Sequence, residues 1–385
     1  MVNSLWAILG AKAYTRVLSY ADMRYVTHKR IFKDQTMKNL RVIVVKSAWI
    51  CSLVLSVFST AWSHERQLPP VPEGASPGLQ KAISAAGAPS TRRRQVSAPT
   101  TEDEWRAAAA IMASAPGPSL SDISGQLNVT IAAQVIAGVD VYWINPMGTP
   151  KAKGLFMYLH DGAYVFGGGI KSVPEAARIS AIAKIPSIAI DYRRPPDDPY
   201  PAALDDVEAV YRSLLKTHSP ENIGIGGTSA GGGLSLATVH RFNDVGLPAP
   251  GALYLGTPWA DLTKTGDTFY TLAGVDRILG SYEGLLENAA HLYAAGTDLK
   301  NPLLSPVYGE FSGFPPAYLV TGTRDLFLSD TARVHRKLRA AGVEAELNVY
   351  EGLSHAEYLF IEGSLEHAAI YQELSIFLNR HLGSP

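Results

Sequence analysis

Only one of the 385 residues is a cysteine, Cys51, so no disulfide can form within the chain and no cysteine-built zinc site exists. No His-x-x-x-His pair has a third ligand nearby, and the sequence calls for no metal and no cofactor. An excess of one charge is also missing. The 34 Lys and Arg nearly balance the 35 Asp and Glu. That balance gives no sign of the strongly basic face that nucleic-acid binding requires. No internal repeat is visible. The longest apolar run, after Lys46, extends for about 16 residues, short of the ~20 that a membrane-spanning helix needs. Glycine (34) and proline (25), by contrast, are plentiful, as a fold with many tight strand-to-helix turns requires.

The N-terminus reads as an address. Lys38, Arg41 and Lys46 precede the apolar run, and Ser59-Thr60-Ala61 supplies the small residues that a signal peptidase reads. Residues 1–63 are expected to be a leader whose signal peptide starts at Met37 and is cleaved near Ala61–Ser63. Residues 1–36 would then be a long leader or an over-extended gene start. The mature protein would be periplasmic or secreted, without a thiol and without stable membrane association; the alternative is a retained anchor. Residues 64–134 read as a linker and N-terminal cap region. Within it, 64–100 is rich in Pro, Ser, Ala and Gly and carries Arg92-Arg93-Arg94, a solvated patch too small for a phosphate track. Residues 101–115 read as a helix capped by Thr101.

From about 135 to 385 short apolar runs alternate with helical stretches. Strands are expected at 139–144, 154–159, 186–191, 222–227, 252–256, 316–321 and 345–350. Helices are expected at 174–184, 201–217, 230–243, 329–341 and 364–381. Apolar strands separated by helices predict an α/β domain whose mostly parallel sheet is covered on both faces. Chemistry in such a sheet sits at the carboxyl ends of the strands.

Gly227-Thr228-Ser229-Ala230-Gly231 directly follows one strand and opens the next helix, the context that a G-x-S-x-G nucleophile elbow demands. The turn is so tight that the flanking residues must be small. Ser229 would then project at a helix N-terminus, where backbone N–H groups favour developing negative charge. His160-Asp161-Gly162-Ala163-Tyr164 follows an earlier strand, with Gly167-Gly168-Gly169 just beyond. The N–H groups of Gly162, Ala163 and Ala230 are expected to form the oxyanion hole, with His160 holding the loop.

Those two segments are joined by Asp191-Tyr192-Arg193, Pro199-Tyr200-Pro201-Ala202-Ala203-Leu204-Asp205-Asp206, Thr257-Pro258-Trp259-Ala260-Asp261-Leu262 and the stretches around Asp325 and His355. Together they resemble the bacterial hormone-sensitive-lipase-like esterases (family IV) of the α/β-hydrolase superfamily, from about residue 135 to the end. The resemblance implies an α/β-hydrolase fold with a helical cap drawn from the region before the core and from an insertion near 265–295. Two departures stand out. Asp161 and Ala163 interrupt the usual glycine run after the histidine, and Thr228 stands where many members carry aspartate.

Ser-His-Asp catalysis needs a base and an orienting carboxylate, which in this fold follow the serine in the order acid, then histidine. Asp325 and His355 both sit just after strands and are the expected partners of Ser229. Asp330 is the rival acid, set aside as the N-cap of the helix that follows it. His291, His335, His367 and His381 are expected at the surface. Among the aromatics Trp105, Tyr164, Phe166, Trp259, Phe269, Tyr270 and Tyr282, the residues expected to bind substrate are Tyr164 and Trp259. Asp191, Arg193 and Asp261 should brace loops. The expected reaction is hydrolysis of a small carboxylic ester, of short acyl chain or cyclic, with a homodimer allowed. The alternatives are a lactonase or amidase using the same site, and a non-catalytic ligand-binding member of the fold.

Overall fold

A computed structural model describes residues 68–86, 98–148 and 153–383. The signal segment, Cys51 and the Arg92-Arg93-Arg94 run lie outside the described residues. Eight strands form one sheet: β1 (Val129–Ile136), β2 (Val139–Pro146), β3 (Leu155–Leu159), β4 (Ser187–Ile190), β5 (Ile223–Thr228), β6 (Ala252–Gly256), β7 (Ala317–Gly322) and β8 (Ala345–Tyr350). Their spatial order is β1-β2-β4-β3-β5-β6-β7-β8. Only β2 runs against its neighbours.

The inner strands are apolar on both faces because both faces are covered. Along β3, Leu155, Met157 and Leu159 enter one core cluster while Phe156 and Tyr158 enter the other. The first cluster is closed by α2 (Glu102–Ser114), α5 (Ala202–Leu214), α6 (Ala230–Asp244), α8 (Leu285–Ala294) and α9 (Leu328–Ala340). The second is closed by α1 (Pro77–Ala86), α3 (Leu120–Leu127), α4 (Val173–Ala183) and α10 (Leu365–His381). A short helix, α7 (Thr268–Thr271), lies in the connection from β6 to β7.

The chain leaves β3 toward α4 on one face and leaves β5 toward α6 on the other. The strand order reverses between β3 and β5, so their two loops diverge and open a crevice at the carboxyl ends. This crevice holds the loop His160–Tyr164, which follows β3, on one side and the β5–α6 turn with Ser229 on the other.

The expected strands and core helices fall within one to three residues of the observed ones. Strand β1 was not foreseen. It is an edge strand with most residues exposed, so no continuous apolar run marks it. The Thr101 cap is present as a full capping box with Glu104. The reading of 64–100 as a linker is corrected for its described part. Helix α1 buries Leu79 and Ile83, Ser76 donates to Glu366 from both its N–H (2.7 Å) and its hydroxyl (2.5 Å), and Arg324 donates to the Pro70 carbonyl (2.5 Å). Among the described residues no helix is long and apolar enough to cross a membrane.

Candidate active site

Ser229 stands between β5 and α6 with φ +57° and ψ −119°, a strained conformation for a residue with a side chain. The strain is held by three backbone bonds. Ser229 N–H donates to Gly256 (2.8 Å), and its carbonyl accepts from Gly233 (3.0 Å) and Trp259 (2.9 Å). The sequence pays for this turn in glycine: a Cβ on either Gly227 or Gly231 would lie 1.9 Å from the Leu159 carbonyl oxygen. Only hydrogen fits there, so α6 can approach the end of β3.

His355 and Asp325 reach the serine from the loops after β8 and β7. His355 Nε2 is 2.9 Å from Ser229 Oγ, and Nδ1 is 3.0 Å from Asp325 Oδ1. The three expected residues therefore form one hydrogen-bonded line, and all are buried. With its Nδ1 proton directed at Asp325, His355 offers Nε2 as the acceptor for the serine hydroxyl. Asp325 is itself held by Thr321 Oγ1 (2.7 Å) and by Phe327 N–H (2.9 Å). The Phe327 ring packs edge-on against His355, 4.6 Å between centroids. Burial disfavours the imidazolium, but the carboxylates of Asp325, Asp276 and Asp161 outweigh it and raise the His355 pKa above its ordinary value.

The oxyanion loop also needs unusual backbone. Gly162 (φ +107°), Ala163 (φ +54°) and Tyr164 (φ +65°) all lie in the left-handed region. Ala163 bears that strain where a glycine would bear none. No acceptor among the described residues takes the N–H of Gly162, Ala163 or Ala230, and Ala230 opens α6, where the first N–H groups are free by geometry. His160 holds this loop as expected. Its Nδ1–H donates to the Asp161 carbonyl (2.7 Å), its ring stacks on Tyr192 at 4.0 Å, and Tyr192 OH donates to its carbonyl (2.8 Å). Burial and Arg194 lower its pKa to about 3, so it is neutral. The Asp161 carboxyl is raised by burial.

Thr228, the second departure, faces away from the crevice into a polar cluster. Its hydroxyl donates to Glu175 (2.9 Å), which also accepts from Tyr158 (2.6 Å) and Tyr254 (2.9 Å), while Tyr358 OH lies 2.9 Å from Thr228 and 2.8 Å from Tyr254. Burial raises the Glu175 carboxyl to about 7. No local signal in the sequence marked Glu175.

Several expectations change. Tyr164 (2% exposed) and Trp259 (0%) are core residues. Tyr164 stacks on Tyr293 at 4.1 Å and Trp259 on Phe327 at 5.4 Å, so both rings expected to meet substrate are packed into the core, as deeply buried as His355 and Asp325. Asp330 lies inside α9 and does not cap it. Its carboxylate instead accepts from the N–H groups of Ala260 (3.2 Å) and Asp261 (3.0 Å), away from His355. His367 is buried, with Nδ1–H donating to the Tyr358 carbonyl. The bracing roles hold: Asp191 pairs with Arg194, Arg193 with Asp206, and Asp261 with Arg333 and Tyr308.

A family model described as the alpha/beta hydrolase fold matches residues 156–359, and the chain belongs to that family. It is an enzyme of the esterase type within the hormone-sensitive-lipase-like branch. An acetyl-hydrolase of Streptomyces hygroscopicus is 32% identical over 214 residues, covering 55% of this chain and 70% of that protein. The crystal structure of an esterase, E25, is 44% identical with a TM-score of 0.79, covering 83% of this chain and 99% of that one. The structure of an esterase from the bacterial hormone-sensitive lipase family is 29% identical with a TM-score of 0.66, covering 80% and 99%.

Proposed function

We propose that this protein hydrolyses small carboxylic esters, of short acyl chain or cyclic, through Ser229, His355 and Asp325. The observation that carries the reading is the unbroken line from Ser229 Oγ to His355 Nε2 (2.9 Å) and from Nδ1 to Asp325 (3.0 Å). In this reading Ser229 Oγ attacks the ester carbonyl while His355 Nε2 takes its proton. Asp325 holds the imidazole and balances the imidazolium. The N–H groups of Gly162, Ala163 and Ala230 receive the oxyanion; loss of one such donor typically costs about 10²–10³ in kcat. His355 then protonates the departing alcohol. Water, activated by the same nitrogen, releases the acid from the acyl-enzyme. The acetyl-hydrolase relative supports a small acyl group.

The test is hydrolysis of p-nitrophenyl acetate, butyrate and palmitate by the full chain, beside Ser229→Ala. Turnover of the short esters that is lost in the variant is expected. Activity that survives the substitution would refute the nucleophile. Hydrolysis confined to lactones would narrow the substrate to the cyclic esters, hydrolysis confined to amides would move the substrate class, and binding without turnover would leave a ligand-binding protein. The segment from Met37 to Ser63 is read as an export signal, and N-terminal sequencing of the mature protein checks it: a start near residue 64 is expected.

A further inference from the structure

The connection from β6 to β7 sends one carboxylate into the core beside the triad. Asp276 has no exposed surface. Its Oδ2 accepts from the backbone N–H of Leu326 (2.8 Å), the residue after Asp325, and from the backbone N–H of His355 itself (3.3 Å). Its Oδ1 accepts from Ile278 (2.8 Å) and Leu279 (3.1 Å), which curl the connection around it. The next residue fastens the same segment to the base loop. Arg277 N–H donates to Ser354 Oγ (3.1 Å), and its guanidinium donates to the Gly352 carbonyl (3.1 Å) and pairs with Glu357. Glu357 in turn accepts from Ser354 N–H (2.9 Å).

These contacts share a geometric consequence. The acid and the base arrive on different loops, which meet at their bases through Arg324 N–H to the Leu353 carbonyl (3.0 Å) and Gly352 N–H to Thr323 Oγ1 (2.9 Å), and Asp276 adds a tie further along, at Leu326 and His355 themselves. One oxygen of Asp276 is bonded to both.

We propose that Asp276 is a positioning residue for the hydrolytic reaction: its buried carboxylate joins the Asp325 loop to the His355 loop and fixes the register in which His355 meets Ser229. The proposal rests on the triad reading above. Asp276 does not touch the reacting atoms and acts through Asp325 and His355. It also acts by charge. The titratable groups facing His355 are Asp325, Asp276 and Asp161, and those facing Asp276 are Asp325 and His355. The ion pair of Arg277 with Glu357 lies on the same segment, with Arg324 and Glu351 beyond it. Removing the Asp276 charge therefore withdraws support from the His355 imidazolium.

Asp276→Asn in the full chain tests this. An amide presents a donor where one carboxylate oxygen now accepts, so two of the four backbone bonds are lost. Expected, per correctly folded molecule, is a fall in kcat of about 10- to 100-fold with KM within about twofold, in the range that small misplacements of catalytic groups produce. The acid limb of kcat/KM should also move to lower pH. A purely structural role would reduce the folded fraction and leave that limb in place; an unmoved limb with normal kcat per folded molecule would overturn the proposal. Should the variant not fold, Arg277→Lys loosens the same segment and keeps the carboxylate. There a several-fold loss of kcat at constant KM is expected, and an unchanged kcat would overturn the proposal. The wild-type protein and Ser229→Ala run alongside. Wild-type activity insensitive to Ser229 would bring down the triad reading, which the Asp276 result by itself does not test.

Discussion

Glu175 allows a stability prediction with a calculable size. Its carboxyl lies behind the nucleophile elbow among Tyr158, Tyr254, Thr228 and Tyr371. Burial lifts it from 4.5 to about 7, although hydrogen bonds from Tyr158, Thr228 and Tyr254 pull the other way. In the unfolded chain the same group ionises near its ordinary value. The folded-state pKa is thus the higher of the two. The contribution of Glu175 to stability is fully present below pH ~4.5 and is lost as pH rises toward ~7. The gap between 4.5 and about 7 corresponds to about 3 kcal/mol, at 1.36 kcal/mol per pKa unit. Glu175→Gln keeps the shape and cannot ionise. Urea denaturation of both proteins at intervals from pH 4 to 8 gives the difference in unfolding free energy at each pH, in which all other titrating groups cancel. Wild type should lose about 3 kcal/mol relative to the variant across that window. Parallel curves would show that the buried carboxyl does not titrate there, and the reasoning from its burial would fail.

Two further predictions concern the elbow and the acid. Asp325→Asn should leave the fold intact and lower kcat by about 10⁴, because the amide no longer holds the imidazole in the tautomer that accepts the serine proton; steady-state hydrolysis of p-nitrophenyl acetate checks it, and a loss under tenfold would return Asp325 to a bracing role. Gly231→Ala should abolish soluble, active protein, since its Cβ would lie 1.9 Å from the Leu159 carbonyl oxygen. Gly125→Ala, in mid-α3 with nothing within 4 Å of the new methyl, should instead raise stability by about 0.5–1 kcal/mol, measured by the same urea titration.

What could be read in the sequence was what is encoded locally. The elbow is legible because a strand, a tight turn and a helix must follow one another within a few residues, and the glycines that permit it stand beside Ser229. The parallel strands are legible because burial on both faces demands continuous apolar runs, and the places of Asp325 and His355, one hydrogen bond apart, because each stands just after such a run. Thr101 announces its helix through a capping box that spans only Thr101 to Glu104. Tertiary structure decided the rest, through contacts that leave no trace in neighbouring residues. Asp276 meets Leu326 and His355 from 50 and 79 positions away, and Glu175 meets Thr228 and Tyr254 across 53 and 79. Ser76 finds Glu366 across 290, which turns part of a Pro-rich arm into a docked helix. Tyr164 and Trp259 occupy loop positions that suggested a pocket, yet Tyr293 and Phe327 close over them. A buried polar group must find its partner wherever the chain brings one, and a ring is core or pocket according to what packs on it; composition and periodicity carry neither fact.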